Sequence, residues 1–331
     1  MASANYTDLL NKALADIGDA VAVADVTGEF YSGHALRQRI EGIASLLRAS
    51  GLERGDGLAQ LASNCVDAFA VMAACLRAGG RYTPLHPLGS LDQQRFVVND
   101  SQAKLLVIDS AAFAEWGARL ADAFPKLAVI TLSRANFGEY LGDLLVDRPW
   151  LDDQQDSEDI AWVSYTGGTT GDPKGVMHTQ KGMGATAEIA RAAWQFPEQP
   201  HFLACSPISH AAGFLVLPVL MLGGRVSLLP RFSPEPVIRC IENQGVNTLF
   251  LVPSMIYGLL DHPGVGQRDL SNLEHIIYAS APIAPERLRE ALHLFGPILH
   301  QCYGQTESIH ITCMTHKEHN PSVSRRLESV G

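Results

Sequence analysis

The sequence lacks the marks of several functional classes. It has no excess of positive charge: 25 Lys and Arg stand against 35 Asp and Glu, a formal net charge of −10. A protein that grips nucleic acid through its phosphates needs the opposite balance, so that class is excluded as a main function. There is no long apolar run. The longest, Ala211–Leu222, is broken by Gly213 and Pro218 and falls short of the ~20 residues that span a bilayer. The first residues, MASANYTDLL, contain neither a basic nor an apolar stretch, so no secretory signal is read there and a soluble, cytoplasmic protein is expected. The six cysteines (Cys65, Cys75, Cys205, Cys240, Cys302 and Cys313) show no CxxC spacing and read as reduced thiols or core packing. His310, His316 and His319 fall close together, but no cysteine pair completes a zinc set and the surroundings read as a polar loop.

What is present points to a globular α/β chain. Its 331 residues suit about two compact domains of roughly 150 residues each. A hydrophobic share of 47% against 18% charged residues is enough for a large core. Leu36, Ile40, Ile43 and Leu47 share one helical face, with Gly51 as a stop. A second helix is expected from an Asn64 cap through Phe69, Met72 and Leu76 to Gly79. Short apolar runs recur at 105–108, 127–132, 160–165, 202–205, 226–229, 248–252, 275–278 and 298–303. They are almost unbroken, as strands buried on both faces should be. Helical stretches at 234–243 and 285–295 lie between them, the first with Ser233 as N-cap and Pro234 at the first helical position. This alternation predicts layered, largely parallel β-sheets flanked by helices. The acidic stretch 147–159 reads as an exposed connection.

Two constellations carry chemistry. The strand candidate 160–165 runs into Thr166-Gly-Gly-Thr-Thr-Gly-Asp-Pro-Lys-Gly175. Its four glycines let backbone approach a ligand closely, and successive N–H groups in such a loop can form an anion nest. Thr166, Thr169 and Thr170 add hydroxyls and Lys174 a mobile charge, a set that suits a polyphosphate; the alternative is a flexible surface turn. The loop is not a P-loop, because Gly175 and not Ser or Thr follows Lys174. Nor do Gly167, Gly168 and Gly171 have the spacing of a dinucleotide fingerprint. The second constellation, Tyr303-Gly-Gln-Thr-Glu307, also follows an apolar run. Tyr303 offers a flat face for a base, Thr306 a hydroxyl and Glu307 a hard carboxylate for magnesium. Ligands in open α/β sheets sit beyond the carboxyl ends of strands, so both motifs are expected to face one crevice.

YTGGTTGDPKG followed at a distance by YGQTE resembles the adenylate-forming (AMP-binding) superfamily, and most of all the N-terminal large domain of a fatty acyl-CoA synthetase. The resemblance spans nearly the whole chain. It implies the N-terminal domain of the acyl-CoA synthetase/luciferase-like fold, with subdomains over about 50–200 and 1–50 plus 200–320. It implies a phosphate loop for ATP formed by Thr166, Gly167, Gly168, Thr169, Thr170, Gly171 and Lys174. In the segment Tyr303, Gly304, Gln305, Thr306, Glu307 it assigns the tyrosine to adenine, the threonine to the α-phosphate and the glutamate to magnesium. Pro207-Ile-Ser-His-Ala-Ala-Gly213 is similar to the family segment whose histidine lines the acyl pocket near the pantetheine channel, which puts His210 there; a packed core histidine is the alternative. Tyr278-Ala-Ser-Ala-Pro-Ile283 looks like the glycine-rich stretch beside adenine and acyl group, which brings in Ser280, Ala281 and Pro282. Here Ala279 and Ser280 replace the family's glycines and add bulk.

The resemblance implies ATP, Mg²⁺ and CoA (as co-substrate), and a two-step reaction in fatty acid metabolism: a carboxylate attacks the α-phosphorus of ATP, then a thiol takes the acyl group. Lys174, Thr306, Glu307 and His210 are the residues expected to serve it. An amino-acid-activating domain needs a buried acid to pair the substrate's ammonium, and Ser206–Leu217 contains none. Ala211, Ala212, Gly213, Phe214 and Leu215 suit an apolar tail, fatty or aromatic; the resemblance, closest to fatty acyl-CoA ligases, implies a fatty acid, with an aryl acid or a non-catalytic nucleotide-binding role as alternatives. The expected partners are small molecules, with no nucleic acid and no transmembrane segment; a homodimer stays open. Family members continue well beyond Gly331, through a ribose-binding aspartate and a small C-terminal domain with an active-site lysine. The chain is therefore expected to turn over poorly by itself.

Overall fold

The computed structural model describes residues 5–26, 28–145, 155–166, 173–319 and 327–330. Among them fifteen strands form: β1 (Val21–Asp25), β2 (Phe30–Ser32), β3 (Gly57–Leu61), β4 (Arg81–Pro84), β5 (Ala103–Ile108), β6 (Ala128–Thr131), β7 (Glu139–Tyr140), β8 (Ile160–Thr166), β9 (Lys174–Thr179), β10 (His201–Ala204), β11 (Arg225–Leu228), β12 (Thr248–Leu251), β13 (His275–Tyr278), β14 (Leu299–Gln305) and β15 (Ser308–Met314). They make a seven-stranded sheet, β7-β6-β5-β3-β4-β8-β9, and an eight-stranded sheet, β15-β14-β13-β12-β10-β11-β1-β2. From β14 across to β1 the larger sheet is parallel, and β14–β15 is antiparallel. In the smaller one only β8–β9 is antiparallel. The expected layered, largely parallel α/β architecture is the one observed.

The chain divides into two compact units, residues 1–20 with 31–185 and residues 21–30 with 186–331. This grouping places residues 1–20 and 31–49 differently from the sequence-based split. The reason is packing: helices Tyr6–Ile17, Gly33–Ala49 and Val66–Arg77 contact one another. In the first unit Ala59, Leu61, Leu106 and Ile108 form a core with Val97, Val98 and Leu120. In the second, Leu203, Leu249, Leu251 and Ile276 pack under Val237 and Ile241 of helix Pro234–Gln244 and Leu288 of helix Pro285–Phe295. No helix among the described residues is long and apolar enough to cross a membrane.

All eight apolar runs fall on strands, the most deeply buried being β10, β12 and β13. Two local expectations are corrected. Helix Val66–Arg77 starts from Cys65 with no side-chain cap, so Asn64 is not its N-cap; it is buried instead. Pro234 opens its helix and Ser233 stands at the N-cap as expected, though its side chain makes no capping bond. The stretch with His310, His316 and His319 is no polar loop: it is β15 and a short helical turn, His316–Glu318. Among the described residues no group of three or more ligating side chains could hold a metal ion. Of the acidic connection, residues 147–154 lie outside the described residues, and Asp159 accepts two bonds from Arg54, at 2.7 and 2.8 Å.

His275, His300 and His316 of the second unit form a linked group. The His275 and His300 rings lie 4.2 Å apart and those of His300 and His316 5.0 Å apart. His275 Nε2 donates to Trp194 O at 2.6 Å. Loss of water pushes His201, His275 and His310 down to about 4 and, reinforced by neighbouring imidazoles, His300 to about 3. These rings are neutral when folded, whereas in the unfolded chain they take up protons near 6.5. The unfolded state therefore gains protons first as pH falls, and the stability from these neutral rings is present above 6.5 and lost toward 4. For His201 alone the displacement to about 4 amounts to roughly 3 kcal/mol. Urea unfolding should show its midpoint dropping steadily between pH 6.5 and 4; a midpoint constant across that window would remove the neutral-imidazole account.

Candidate active site

The first candidate element is the β8–β9 hairpin. Ala161, Trp162 and Val163 are buried, which fixes β8 in the sheet. The Trp162 ring meets Tyr82 edge-on at 4.8 Å, and Tyr82 donates to Gln60 Oε1 at 2.7 Å. Tyr165 donates to Asp100 Oδ2 at 2.6 Å. Thr166, the last residue of β8, pairs with Lys174, the first of β9. Thr166 is half-buried and Lys174 exposed at the start of β9. A Cβ on Gly175 would sit 3.0 Å from both the Tyr165 ring and Val163, so glycine lets the returning strand pass. Gly167, Gly168, Thr169, Thr170 and Gly171 lie outside the described residues.

The remaining candidates belong to the second unit and share one edge of its sheet. β10, β12, β13 and β14 run parallel, so the segments after them leave at the same end. Those segments carry His210 after β10, Ser280–Pro282 after β13, and Tyr303–Glu307 at the end of β14. The five residues of the YGQTE motif thus turn a corner. Tyr303 still pairs with Thr312, Gln305 pairs with Ser308, and Thr306-Glu307 form the turn between. The register shifts at Gly304, where a Cβ would stand 1.9 Å from Ile309 O. Only glycine allows that backbone approach. Tyr303 is 40% exposed, which leaves ring surface open for stacking. Glu307 is exposed and Thr306 half-buried.

Ser280, Ala281 and Pro282 are all exposed. Ser280 has φ +75°, in the left-handed region that a side chain disfavours. The replacement of glycine seen in the sequence thus falls where the backbone conformation suits glycine. Beneath this segment Tyr278 is fully buried, and its hydroxyl lies 3.1 Å from Gln301 Oε1 and 2.9 Å from His319 Nε2. His319 Nδ1 is 2.9 Å from Thr315 O, so that nitrogen carries the proton. This network was not foreseen, because residues 278, 301 and 319 are joined only through space. His210 is half-buried in the turn after β10, with Nδ1 2.8 Å from Ser209 Oγ. Gly213 closes that turn; a Cβ there would stand 1.9 Å from Ile208 O.

With this geometry in hand, comparison with known proteins is informative. A family profile described as "AMP-binding enzyme" matches residues 10–331. A medium/long-chain-fatty-acid–CoA ligase (FadD8) from Mycobacterium tuberculosis is 36% identical over 312 residues, covering 91% of this chain and 54% of the relative. A feruloyl-CoA synthase from Amycolatopsis sp is 30% identical, covering 89% of this chain and 58% of the relative. Among solved structures, the amide bond synthetase McbA from Marinactinospora thermotolerans superposes with a TM-score of 0.88 at 29% identity, over 99% of this chain and 65% of that one. ATP-bound MatB from Rhodopseudomonas palustris gives 0.82 at 25% identity, over 95% and 62%. The chain thus spans just over half the length of these curated relatives.

Two backbone features make opposite predictions. Ser280→Gly should raise thermal stability by about 0.5–1 kcal/mol, since it relieves the left-handed position, while Ser280→Ala, which keeps a Cβ, should not. Gly304→Ala should lower stability by about 2 kcal/mol or more, because the new methyl meets a backbone oxygen. Melting curves of the three variants check this, and a stabilised Ser280→Ala would show that φ is not the cause.

Proposed function

The chain belongs to the AMP-binding enzyme family, and on that premise we propose that its protein activates a carboxylic acid with ATP and transfers the acyl group to CoA. The observation that carries the reading is the shared edge of the larger sheet, from which His210, Ser280–Pro282 and Tyr303–Glu307 all emerge. In the first step a carboxylate oxygen attacks the α-phosphorus and the bond to pyrophosphate breaks, giving an acyl-adenylate. In the second a thiol sulfur attacks the acyl carbon and AMP leaves. Neither step needs a covalent bond to the protein. Tyr303 stacks on adenine, walled by Gly304, Gln305 and Ser280–Pro282, and Thr306 donates to the α-phosphate. Thr166 to Lys174 hold the outer phosphates, with Lys174 as their cation.

Glu307 is the residue that would hold magnesium, which when bound neutralises phosphate charge. Its fit is chemical. It is an exposed hard-oxygen donor without an ion pair among the described residues, and magnesium keeps several waters and needs only one or two carboxylates besides phosphate.

The acid is a fatty acid in this reading. Residues 206–217 carry no acidic side chain, and Ala212 and Leu215 are buried in an apolar helix start. The fatty-acid–CoA ligase relative at 36% identity supports it. An aryl acid is the second reading, favoured by the feruloyl-CoA synthase at 30%. ATP/pyrophosphate exchange with medium- and long-chain fatty acids against ferulate separates the two. Measured on a full-length protein that contains this chain, exchange only with the aryl acid overturns the first reading, and none with either overturns both. Assayed by itself the chain is proposed to turn over slowly; a rate equal to that of a full-length relative would refute this.

ATP affinity measured calorimetrically, with and without Mg²⁺, tests the site residues without needing turnover. Glu307→Gln should abolish the gain in affinity that Mg²⁺ brings. Lys174→Ala should leave that gain intact and weaken binding about tenfold, as an exposed, screened charge would. An intact Mg²⁺ effect in Glu307→Gln removes that carboxylate from the site, and equal losses in both variants overturn the ranking.

A further inference from the structure

Tyr165 is held at three points beside the first residue of β9. Its backbone pairs with Gly175, next to the Thr166–Lys174 pair. Its ring lies across that glycine: a Cβ on Gly175 would stand 3.0 Å from Tyr165 Cζ and 3.2 Å from its hydroxyl oxygen. An aromatic ring laid over a facing glycine covers backbone that has no side chain of its own. The hydroxyl then donates to Asp100 Oδ2 at 2.6 Å.

The bond ties the hairpin to a different part of the first unit. Asp100 is the last residue of helix Leu91–Asp100, 65 positions before Tyr165. A carboxylate is disfavoured there, because the helix dipole leaves partial negative charge at that end. A hydroxyl donor offsets part of that cost. The hairpin needs such a tie. β9 stands at the edge of the smaller sheet with β8 as its neighbour, and Lys174 is its exposed first residue. The end of an edge strand is where a sheet opens most easily.

We propose that Tyr165, anchored by Asp100, is a positioning residue for Lys174: it keeps the start of β9 closed on β8, so that the Lys174 cation is presented to the outer phosphates of ATP. The inference rests on the role given to Lys174 above and goes beyond it, since neither Tyr165 nor Asp100 touches the nucleotide. A lysine is a point charge on a flexible four-carbon stem, and its attraction for phosphate falls with distance. Fixing the base of that stem keeps the charge within reach. Loss of the anchor therefore costs less than loss of the cation, and almost nothing once the cation is gone.

The test compares calorimetric affinities for ATP and for AMP, both with Mg²⁺, in a full-length protein that contains this chain. AMP lacks the phosphates that Lys174 would meet. Lys174→Ala should weaken ATP about tenfold and spare AMP. Tyr165→Phe keeps the ring on Gly175 and removes only the hydroxyl. It should weaken ATP about fivefold, the scale of one hydrogen bond, and also spare AMP. In the Lys174→Ala background it should cost less than about twofold more. Asp100→Ala should match Tyr165→Phe, while Asp100→Asn, which keeps a carbonyl acceptor, should restore most of the ATP affinity. A role in stability alone would move ATP and AMP together. Suppose Lys174→Ala behaves as expected. Then unchanged ATP affinity in Tyr165→Phe, equal losses for ATP and AMP, or additive losses in the double variant would overturn the role of Tyr165 and leave that of Lys174 standing. If Lys174→Ala binds ATP as the wild type does, there is no cation to place, and both roles fail together.

Discussion

Parallel pairing is the constraint on which the larger sheet and its candidate site depend. A chain that runs β10, β12, β13 and β14 side by side in one direction must deliver the segment after each strand to the same edge. Antiparallel strands joined by hairpins would have sent neighbouring loops to opposite ends. The crossover helices that parallel pairing requires, such as Pro234–Gln244 and Pro285–Phe295, also cover the sheet and supply its core. One topological choice therefore sets both the stability of this unit and the convergence of His210, Ser280 and Tyr303.

The same constraint explains what was legible in the sequence. Strands covered on both faces are written as unbroken apolar runs, and Leu249–Leu251 and Ile276–Tyr278 read as strands at once. Strands at a sheet edge are not written that way. β15, with residues Ser-Ile-His-Ile-Thr-Cys-Met, mixes polar and apolar side chains because it borders the sheet, and it read as a loop. β3 was missed for another reason: it contains a buried glutamine, Gln60, whose polar atoms are met by Tyr82 and by Ala68 O. A polar residue satisfied by partners distant in sequence looks like a surface residue until those partners are known.

The site divides along the same line. Tyr303, Thr306 and Glu307 were legible because their spacing forms a motif. The departure from glycine at Ser280 was legible too, but its positive φ was not. The hydroxyl of Tyr278 held between Gln301 and His319 could not be read, because nothing local links the three. Ser209 lies beside His210 in the chain, yet only the fold of the 207–213 turn brings the hydroxyl onto Nδ1.

The corner at Gly304 bears on how variation in this segment is to be interpreted. Its Cα lies against the carbonyl of Ile309 so closely that no other amino acid fits. A library screened only for folded protein would therefore reject every change at 304, while the neighbouring Glu307, exposed at the tip, would accept nearly all of them. Only a screen that reports turnover could make the two positions look alike. Intolerance at the glycine thus speaks of geometry, and intolerance at the glutamate, at the tip of the same turn, would speak for the chemistry proposed for it.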